Sequence, residues 1–534
     1  MLVGKPLDFQ ACHCATAGRG DRNDGAFHSR HVNDVSGLSR YVSLAKMSMV
    51  RSDSLGSPTT VRDVGLSVHP AAVIRSRCKT LWRACRLGYE SYRNCRSSRS
   101  GSLLPPYTWY WGGHHAPISV KSDLRRRNEM PQTLDMTQTT KVGIIGGGIG
   151  GLTAALALLR RGIDVEVFEQ SNLLKEVGAG VQIGSNGSRV LYALGLEDAL
   201  SRVQVLPTRR EIRHWYTGET WNWFELGAAS AERFGTPHLM LHRGDLLAVL
   251  ADSVQGLKTD GVTLGKRCIA VEQTADHAEV RFADGDVRKF PFVIGADGIH
   301  SQVRASIFGT DRPEFTGCVA WRGLVPMDRL PPRLARMVGT NWLGPLGHVL
   351  HYPVRRGEKM NFISIVERDD WRAESWTIEG TKGELANDLR DWHADVHTLI
   401  EGLDTPYKWA LMVRGPMARW SRGRITLLGD ACHPTLPFLG QGAVMAIEDA
   451  YVVSACIEKY FGDPVMALMR YEEIRRERTA AVVHKAHENR RLIFSPALAD
   501  EGAVAISVVR EWQQARLRER MDWLYAYDAT AVNI

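Results

Sequence analysis

KVGIIGGGIGGLTAALALLRRGIDVEVFE, from Lys141 to Glu169, decides the fold. KVGII is a short apolar run of the kind that forms a buried strand. GGGIGG follows, and Gly146, Gly148 and Gly151 within it satisfy the spacing G-x-G-x-x-G. LTAALALLRRG supplies good helix formers, with Gly162 placed to end the helix, and IDVEVFE is a second strand ending at Glu169. Strand, glycine turn, helix and strand follow one another within about 30 residues, the order a dinucleotide-binding βαβ unit requires. The glycines let the backbone turn sharply and approach a pyrophosphate closely. The helix N-terminus offers that anion unpaired N–H groups and a partial positive charge. Glu169 stands where a carboxylate accepts ribose hydroxyls and disfavours a 2′-phosphate, so the expected nucleotide is FAD or NAD.

Further motifs follow downstream. VIGADGIHSQVR (Val293–Arg304) reads as a buried strand running into an Asp-Gly turn and a basic helix start. ITLLGDACHP (Ile425–Pro434) is another buried strand, ending in Gly429-Asp430. LGQGAVMAIEDA (Leu439–Ala450) is a glycine loop opening a helix. That second helix N-terminus suits a flavin pyrimidine edge or a phosphate, and Asp430 suits a ribose hydroxyl. Taken singly, an Asp-Gly or Gly-Asp pair is more often a turn than a site.

Taken in order, GGGIGG, HRGDL (His242–Leu246), GADGIHSQVR and GDACHP resemble the single-component FAD-dependent aromatic monooxygenases of the p-hydroxybenzoate hydroxylase type. The resemblance runs from Lys141 to about Val532. VAWRGLVP (Val319–Pro326), GDACHPTLPFLGQGAVMAIEDA and DWLYAYDA (Asp522–Ala529) are most similar to the salicylate hydroxylase branch, which also holds 3-hydroxybenzoate 6-hydroxylase and 6-hydroxynicotinate monooxygenase.

The resemblance implies roles at matching positions. Gly146, Gly148, Gly151 and Glu169 would hold the adenosine half of FAD. Arg243 would lie against the diphosphate and flavin, and Asp297 would sit in a motif shared by FAD and transient NAD(P)H contact. Asp430 would bind the ribitol, and Gly440 and Gly442 would aim backbone N–H groups at the flavin carbonyls. GAGVQIGSN (Gly178–Asn186) would run beside the isoalloxazine, with Val181 and Gln182 near it. The chain has one complete G-x-G-x-x-G unit, which FAD would occupy. The nicotinamide co-substrate, NADH in preference to NADPH, would therefore bind only transiently.

The substrate face is expected in GHVLHYPVRRGEKMNFISIV (Gly347–Val366), read as two strands around a turn. Alternation in HVLHYPV puts His348 and Tyr352 on one face and His351 on the other. A His-x-x-x-Tyr pair touches the substrate in relatives of this branch. A phenol with a pKa of about 10 attacks better when ionised, and a histidine of pKa about 6.5 can take its proton near neutral pH. The alternative is that both residues simply pack within a sheet. Phe438 stands where some para-hydroxylating relatives carry a polar group, which leaves salicylate-like attack open. Cys432 and His433 are adequately explained by turn formation, and Pro434 could offer its carbonyl near the substrate.

Charge separates the N-terminal segment from the rest. The 534 residues hold 67 Lys+Arg and 59 Asp+Glu. Residues 1–135 contribute 20 and 10 of these, leaving 47 and 49, so the remainder is nearly neutral and gives no sign of nucleic-acid binding. Five of the nine cysteines also lie in residues 1–135, among Arg- and Ser-rich sequence without helical or strand periodicity. Such a segment buries too little apolar surface to offset its ordering entropy. It reads as a transit peptide, a basic tail for an anionic partner, or the product of a start assigned upstream of Met136; the last is preferred. Cys12-His13-Cys14 is too tightly spaced for a zinc knuckle, and no metal site is expected. No apolar run approaches the roughly 18 residues of a membrane span.

The expected fold is α/β: a Rossmann-like FAD-binding domain with an inserted mixed-sheet substrate domain and C-terminal helices. Residues 1–135 form the basic segment, 136–310 the first part of the FAD domain, 311–415 the substrate-covering sheet, and 416–534 the Gly-Asp motif and C-terminal helices. ADG in VRFADGDVRKF (Val280–Phe290) marks a hairpin, and the charge run EEIRRER (Glu472–Arg478) reads as a solvated helix face. The expected function is NAD(P)H- and O2-dependent hydroxylation of a small phenolic or heteroaromatic carboxylate, salicylate-like in the first instance. The alternatives are 3-hydroxybenzoate 6-hydroxylase or 6-hydroxynicotinate monooxygenase. A different class, a flavoprotein tethered to an anionic partner by its basic tail, predicts steeply salt-dependent binding. The tryptophan-rich motif of halogenases sharing the fold is not evident. A cytoplasmic monomer or homodimer is expected.

Overall fold

The computed structural model describes residues 141–174, 179–370, 378–499 and 514–534. The chain divides into two units, Met1–Leu124 and Arg125–Ile534, and every described residue lies in the second. The expectations placed on residues 1–135, and Gly178 at the head of GAGVQIGSN, fall outside the described residues.

β1 (Lys141–Ile145), α1 (Ile149–Leu159) and β2 (Asp164–Phe168) form the βαβ unit. β1 pairs in parallel with β2 on one side and with the strand Phe292–Gly295 on the other. Val142, Ile144 and Ile145 are all buried, so β1 is covered on both faces, as in parallel sheets flanked by helices. Ile425–Leu427 extends the sheet in parallel, and Ser421–Arg422 closes that edge antiparallel, giving six strands. The three motif-bearing strands, β1, Phe292–Gly295 and Ile425–Leu427, are thus neighbours, and their turns open at the same end of the sheet. A three-stranded antiparallel excursion spans Cys268–Gln273, Ala278–Phe282 and Val287–Phe290, with the expected hairpin between the last two.

β3 (Gly180–Ile183) pairs with Leu239–His242 in a two-stranded ribbon. β4 (Arg209–His214) belongs to a seven-stranded sheet with β5 (Gly347–Val354), Thr220–Glu225, Glu314–Pro326, Val338–Gly344, Lys359–Glu367 and Tyr407–Val413. The sheet is mixed: Val338–Gly344 runs parallel to β4, and every other pairing is antiparallel. It therefore draws two strands, β4 and Thr220–Glu225, from ahead of residue 311.

β4 reads RREIRH, and one charged face of it is buried. Glu211 accepts hydrogen bonds from Arg209 (2.8 and 3.0 Å), Arg213 (3.0 Å) and Arg336 (2.7 and 2.9 Å). Burial alone would raise its carboxyl, but the Arg336 and Arg209 hydrogen bonds outweigh it and hold the pKa at about 2 instead of 4.5. A drop of that size corresponds to about 3 kcal/mol of stability. The contribution is complete above pH 4.5 and is lost as pH falls through 2. Glu211→Gln should therefore flatten the acid limb of stability against pH, measured as thermal midpoints between pH 3 and 7. An unchanged acid limb would mean that Glu211 is not held as a carboxylate.

α2 (Gly442–Lys459), α3 (Pro464–Ile493) and α4 (Gln514–Tyr525) form the C-terminal helices. α2 is buried on most of its surface, between α1 on one side and α3 on the other. One expectation is corrected here. EEIRRER is a solvated face only in part: Glu473, Arg476 and Glu477 are exposed, but Glu472 and Arg475 are buried. Glu472 accepts the N–H groups of Trp420 (2.8 Å) and Ser421 (2.7 Å), and Arg475 bonds to Glu448 (2.6 Å) and Asp449 (2.7 Å) of α2. Residues three apart on a helix share a face, and here the inward face carries the charge. Among the described residues, no helix is long and apolar enough to cross a membrane.

Candidate active site

The glycine turn is shaped from within and open toward the outside. Gly146 has φ +108°, and a Cβ there would stand 2.4 Å from the Ala296 carbonyl oxygen. A Cβ on Gly151 would stand 2.0 Å from the Gly146 carbonyl oxygen. A Cβ on Gly148 would meet nothing within 4 Å, so open space lies beside the N-terminus of α1, which no side chain caps. An uncapped helix N-terminus facing open space is suited to a phosphate. Glu169 accepts the Gly147 N–H (2.7 Å) and the Ser171 N–H (2.9 Å). Its carboxylate thus braces the turn, and its remaining lone pairs are what a ribose could use. Asp297 accepts from the Ser301 hydroxyl (2.5 Å) and the N–H groups of Gln302 (2.7 Å) and Val303 (3.0 Å), so it caps the helix Gln302–Phe308. The Asp297 turn also packs on Gly146, whose Cβ would come 3.0 Å from the Asp297 Cα.

Small residues bring the other motifs to the same end. A Cβ on Gly150 would meet Leu428 at 2.6 Å and Ala446 at 3.1 Å, and one on Gly429 would meet Ala446 at 3.0 Å. The first glycine turn, the Gly429-Asp430 turn and α2 therefore touch.

A cavity of about 260 Å³ lies between β3, the seven-stranded sheet, the start of α2 and the C-terminal helix. One wall carries Asp430, Gly440, Gly442 and Arg243. Gly440 has φ +63° and ends a turn of 3-10 helix, and Gly442 begins α2. A Cβ on Gly442 would stand 3.9 Å from Asp430 Oδ1. Asp430 opens onto the cavity, yet the protein around it raises its carboxyl pKa, against the attraction of His433 and Arg243. Val181 and Gln182 of β3 form the adjoining edge.

β5 supplies the opposite wall through His348, Leu350 and Tyr352, its alternate residues. His351 points to the other face, against Trp342. His348 packs beside Phe438 (ring centroids 5.6 Å) and Phe494 (5.8 Å), and its Nδ1 has no hydrogen-bond partner among the described residues. Burial lowers its pKa to about 3, so the imidazole is neutral at pH 7. It can therefore accept a hydrogen bond from a ring hydroxyl, but it holds a proton less readily than an ordinary histidine. Burial raises the Tyr352 hydroxyl, while Arg210 and Arg243 pull it down.

Sequence reasoning missed Arg210, His238, Asn489 and Tyr525, which also line the cavity. Arg210 and Ile212 project from β4 on the face opposite Glu211, and the only hint was this alternation. Gly339, between β4 and β5, leaves room for Met240, whose Cε would stand 2.7 Å from a Cβ there, and Arg210 and Tyr352 lie just beyond. Arg210 Nε has no hydrogen-bond partner among the described residues. Gly146, Gly148, Gly151, Glu169 and Asp297 do not line this cavity; they form the neighbouring turns.

Beneath the Gly429-Asp430 turn lies a buried charge lattice. Asp449 accepts from the Gly429 N–H (3.1 Å), His433 Nε2 (2.6 Å) and Arg475 (2.7 Å). Glu448 accepts from Arg475 (2.6 Å) and from Asn186 (2.7 Å), and Asn186 also bonds to Gln441 Oε1 (2.9 Å) at the head of α2. Burial opposes the His433 imidazolium, but Cys432 and Asp449 raise its pKa above 6.5. Cys432, His433 and Asp449 lie close enough to resemble metal ligands, but Asp449 is committed to hydrogen bonds, which account for the grouping. Cys432 and His433 do not line the cavity.

Comparison with known proteins gives the family. The family described as FAD binding domain matches residues 139–486. The 3-amino-4-hydroxybenzoate 2-monooxygenase PtnB3 of Streptomyces platensis is 38% identical over 396 residues, 74% of this chain and 98% of that protein. The 6-hydroxynicotinate 3-monooxygenase of Pseudomonas fluorescens is 32% identical over 357 residues, covering 66% of this chain and 92% of its own. A solved salicylate hydroxylase substrate complex superposes with a TM-score of 0.61 at 27% identity, over 73% of this chain and 96% of that one. The chain therefore belongs to the FAD binding domain family of flavin-dependent monooxygenases.

Proposed function

We propose that this chain hydroxylates a small aromatic or heteroaromatic ring bearing both a hydroxyl and a carboxylate, using NADH or NADPH and O2. The observation that carries the reading is the cavity itself. One wall holds the Gly-Asp turn and the start of α2, and the other holds Arg210, His348 and Tyr352. The residues present suit FAD: an uncapped helix N-terminus beside open space, a carboxylate at Asp430, and a second helix N-terminus at Gly442. Gly146, Gly148, Gly151 and Glu169 would hold the adenosine half. Arg243, Asp430, Gly440 and Gly442, with Val181 and Gln182, would hold the flavin half. Bound there, FAD supplies hydride acceptance from the nicotinamide and activation of O2.

The protein's own residues then position the ring. The cavity offers two cations, Arg210 and Arg243. Arg243 acts on both Asp430 and Tyr352, whereas Arg210 acts on Tyr352, His238 and Tyr525 and its Nε has no partner among the described residues, so Arg210 would pair the ring carboxylate. His348 accepts the hydrogen bond of the ring hydroxyl, and Tyr352 braces the same side. The positive charge of Arg210, which pulls down the Tyr352 hydroxyl, would likewise favour ionisation of a ring hydroxyl, making the ring a better nucleophile. The apolar surroundings of Ile212, Phe224, Leu350 and Ile363 limit water at the reacting ring.

Salicylate, 3-hydroxybenzoate, 6-hydroxynicotinate and 3-amino-4-hydroxybenzoate all carry the two required groups, and the names of the relatives fit the last two as well as the structural neighbour fits the first. Losing a charge-assisted hydrogen bond costs about 1.5–3 kcal/mol. Arg210→Gln should therefore weaken binding of the preferred ring by roughly 10- to 100-fold, with FAD content unchanged. Equal affinity in the variant would remove Arg210 as the carboxylate anchor.

A further inference from the structure

DWLYAYDA, Asp522–Ala529, has no role in the reading above, yet it reaches the cavity. Arginines from two helices fasten it. Arg478 donates to the carbonyl oxygens of Trp523 (3.3 Å) and Leu524 (2.9 Å), and its guanidinium lies 4.8 Å from the Trp523 ring centroid. Arg475 donates to the Tyr527 hydroxyl (2.9 Å), and Arg189 donates to the Tyr527 carbonyl oxygen (2.8 Å). Segments held by their backbone carbonyls in this way present side chains in fixed positions.

The side chain so presented is Tyr525. Its ring is 4% exposed and packs edge-on against Phe234 (5.8 Å) and His238 (5.9 Å). Gly184 makes the seat: a Cβ there would stand 2.5 Å from the Tyr525 ring. Tyr525 lines the cavity together with Arg210 and His238, and no hydrogen bond joins its hydroxyl to a described residue. Arg210 is near enough for its charge to act on this hydroxyl, as it does on His238. The hydroxyl opens onto the cavity, where a ligand is the partner available.

We propose that Tyr525 is a substrate-contacting residue, its hydroxyl donating to the ring carboxylate that Arg210 pairs, so that the C-terminal segment sets the preference for carboxylated rings. The inference rests on the reading of Arg210 as the anchor. Two partners converging on one carboxylate discriminate against its neutral amide, because the amide presents an N–H₂ group to at least one donor.

Tyr525→Phe tests this, since it keeps the ring that packs on Phe234 and His238. The FAD-loaded full chain is titrated with 3-hydroxybenzoate and with 3-hydroxybenzamide, following the flavin absorbance. The variant should lose roughly tenfold in affinity for the carboxylate and less than twofold for the amide, with unchanged thermal midpoint and FAD content. Equal affinity of Tyr525→Phe and the parent chain for 3-hydroxybenzoate overturns the proposal, because a space-filling ring tolerates loss of the hydroxyl. Arg210→Gln, run alongside, separates the two readings. Weakening by Arg210→Gln alone leaves the anchor standing and removes Tyr525. No weakening by either variant, or no binding of any of the four hydroxylated carboxylates named above by the parent chain, removes the anchor itself.

Discussion

Gly151→Ala should cost the protein its flavin. The added methyl would stand 2.0 Å from the Gly146 carbonyl oxygen. That neighbour is backbone, in a turn already fixed by φ +108° at Gly146, so no side chain can swing aside. α1 would have to move away from the turn, taking its N-terminal N–H groups out of reach of the pyrophosphate. FAD affinity is expected to fall by roughly two orders of magnitude, about 3 kcal/mol, and the thermal midpoint should fall with it. Gly148→Ala is the control. Its φ of −74° suits alanine, and the methyl meets no protein atom within 4 Å. The apoprotein should keep its stability, and only FAD binding should weaken. Near-stoichiometric flavin in purified Gly151→Ala would show that the turn does not hold the cofactor.

Arg475→Met should be the most destabilising single change in the C-terminal half. Arg475 is fully buried and pairs with both Glu448 and Asp449, which are also fully buried; Arg478 and His433 are their further cationic partners. Removing one partner of a buried ion pair costs about 3–5 kcal/mol, because the remaining charge is left without compensation. Here two carboxylates would each lose a cationic partner, Glu448 keeping Arg478 and Asp449 keeping His433. The loss should also reach the site, since Asp449 holds the Gly429 N–H and Glu448 holds Asn186. Replacing the acids as well, in Arg475→Met with Glu448→Gln and Asp449→Asn, should recover much of the stability. Urea unfolding of the apoprotein measures both. A loss below about 1 kcal/mol in Arg475→Met would mean that the lattice carries little of the fold.

The βαβ unit was legible in the sequence because its signal is local: strand, glycine turn, helix and acid lie within one short stretch, and the structure has β1, α1 and β2 there. The hairpin at Val280–Phe290 and the paired strands around Arg355–Gly357 were legible for the same reason. His348 and Tyr352 could be placed on one face because strand alternation fixes which residues share a side. What that alternation could not supply was the burial that lowers His348 to about 3. Arg210 escaped because RREIRH looks like an exposed strand; its Glu211 face is closed by Arg336 from more than a hundred residues away, and the opposite face, with Arg210, lines the cavity. EEIRRER misled in the same manner, since the partners that bury Arg475 stand on α2 and could be found only by packing. Tyr525 required knowing that the C-terminal segment folds back onto Ser185–Ala193 and Thr220–Glu225. Glu169 and Asp297 were picked out for ligand chemistry, and the structure adds that both brace backbone turns.

The central claim is oxygen transfer from O2 to a carboxylated, hydroxylated ring. The most direct measurement is isotope incorporation by the FAD-loaded full chain under ¹⁸O₂ with NADH or NADPH, using salicylate, 3-hydroxybenzoate, 6-hydroxynicotinate and 3-amino-4-hydroxybenzoate in turn. The account predicts that at least one ring accelerates nicotinamide oxidation and gains one ¹⁸O atom per nicotinamide consumed. A chain that takes up FAD and oxidises the nicotinamide, yet labels none of these rings, would contradict it.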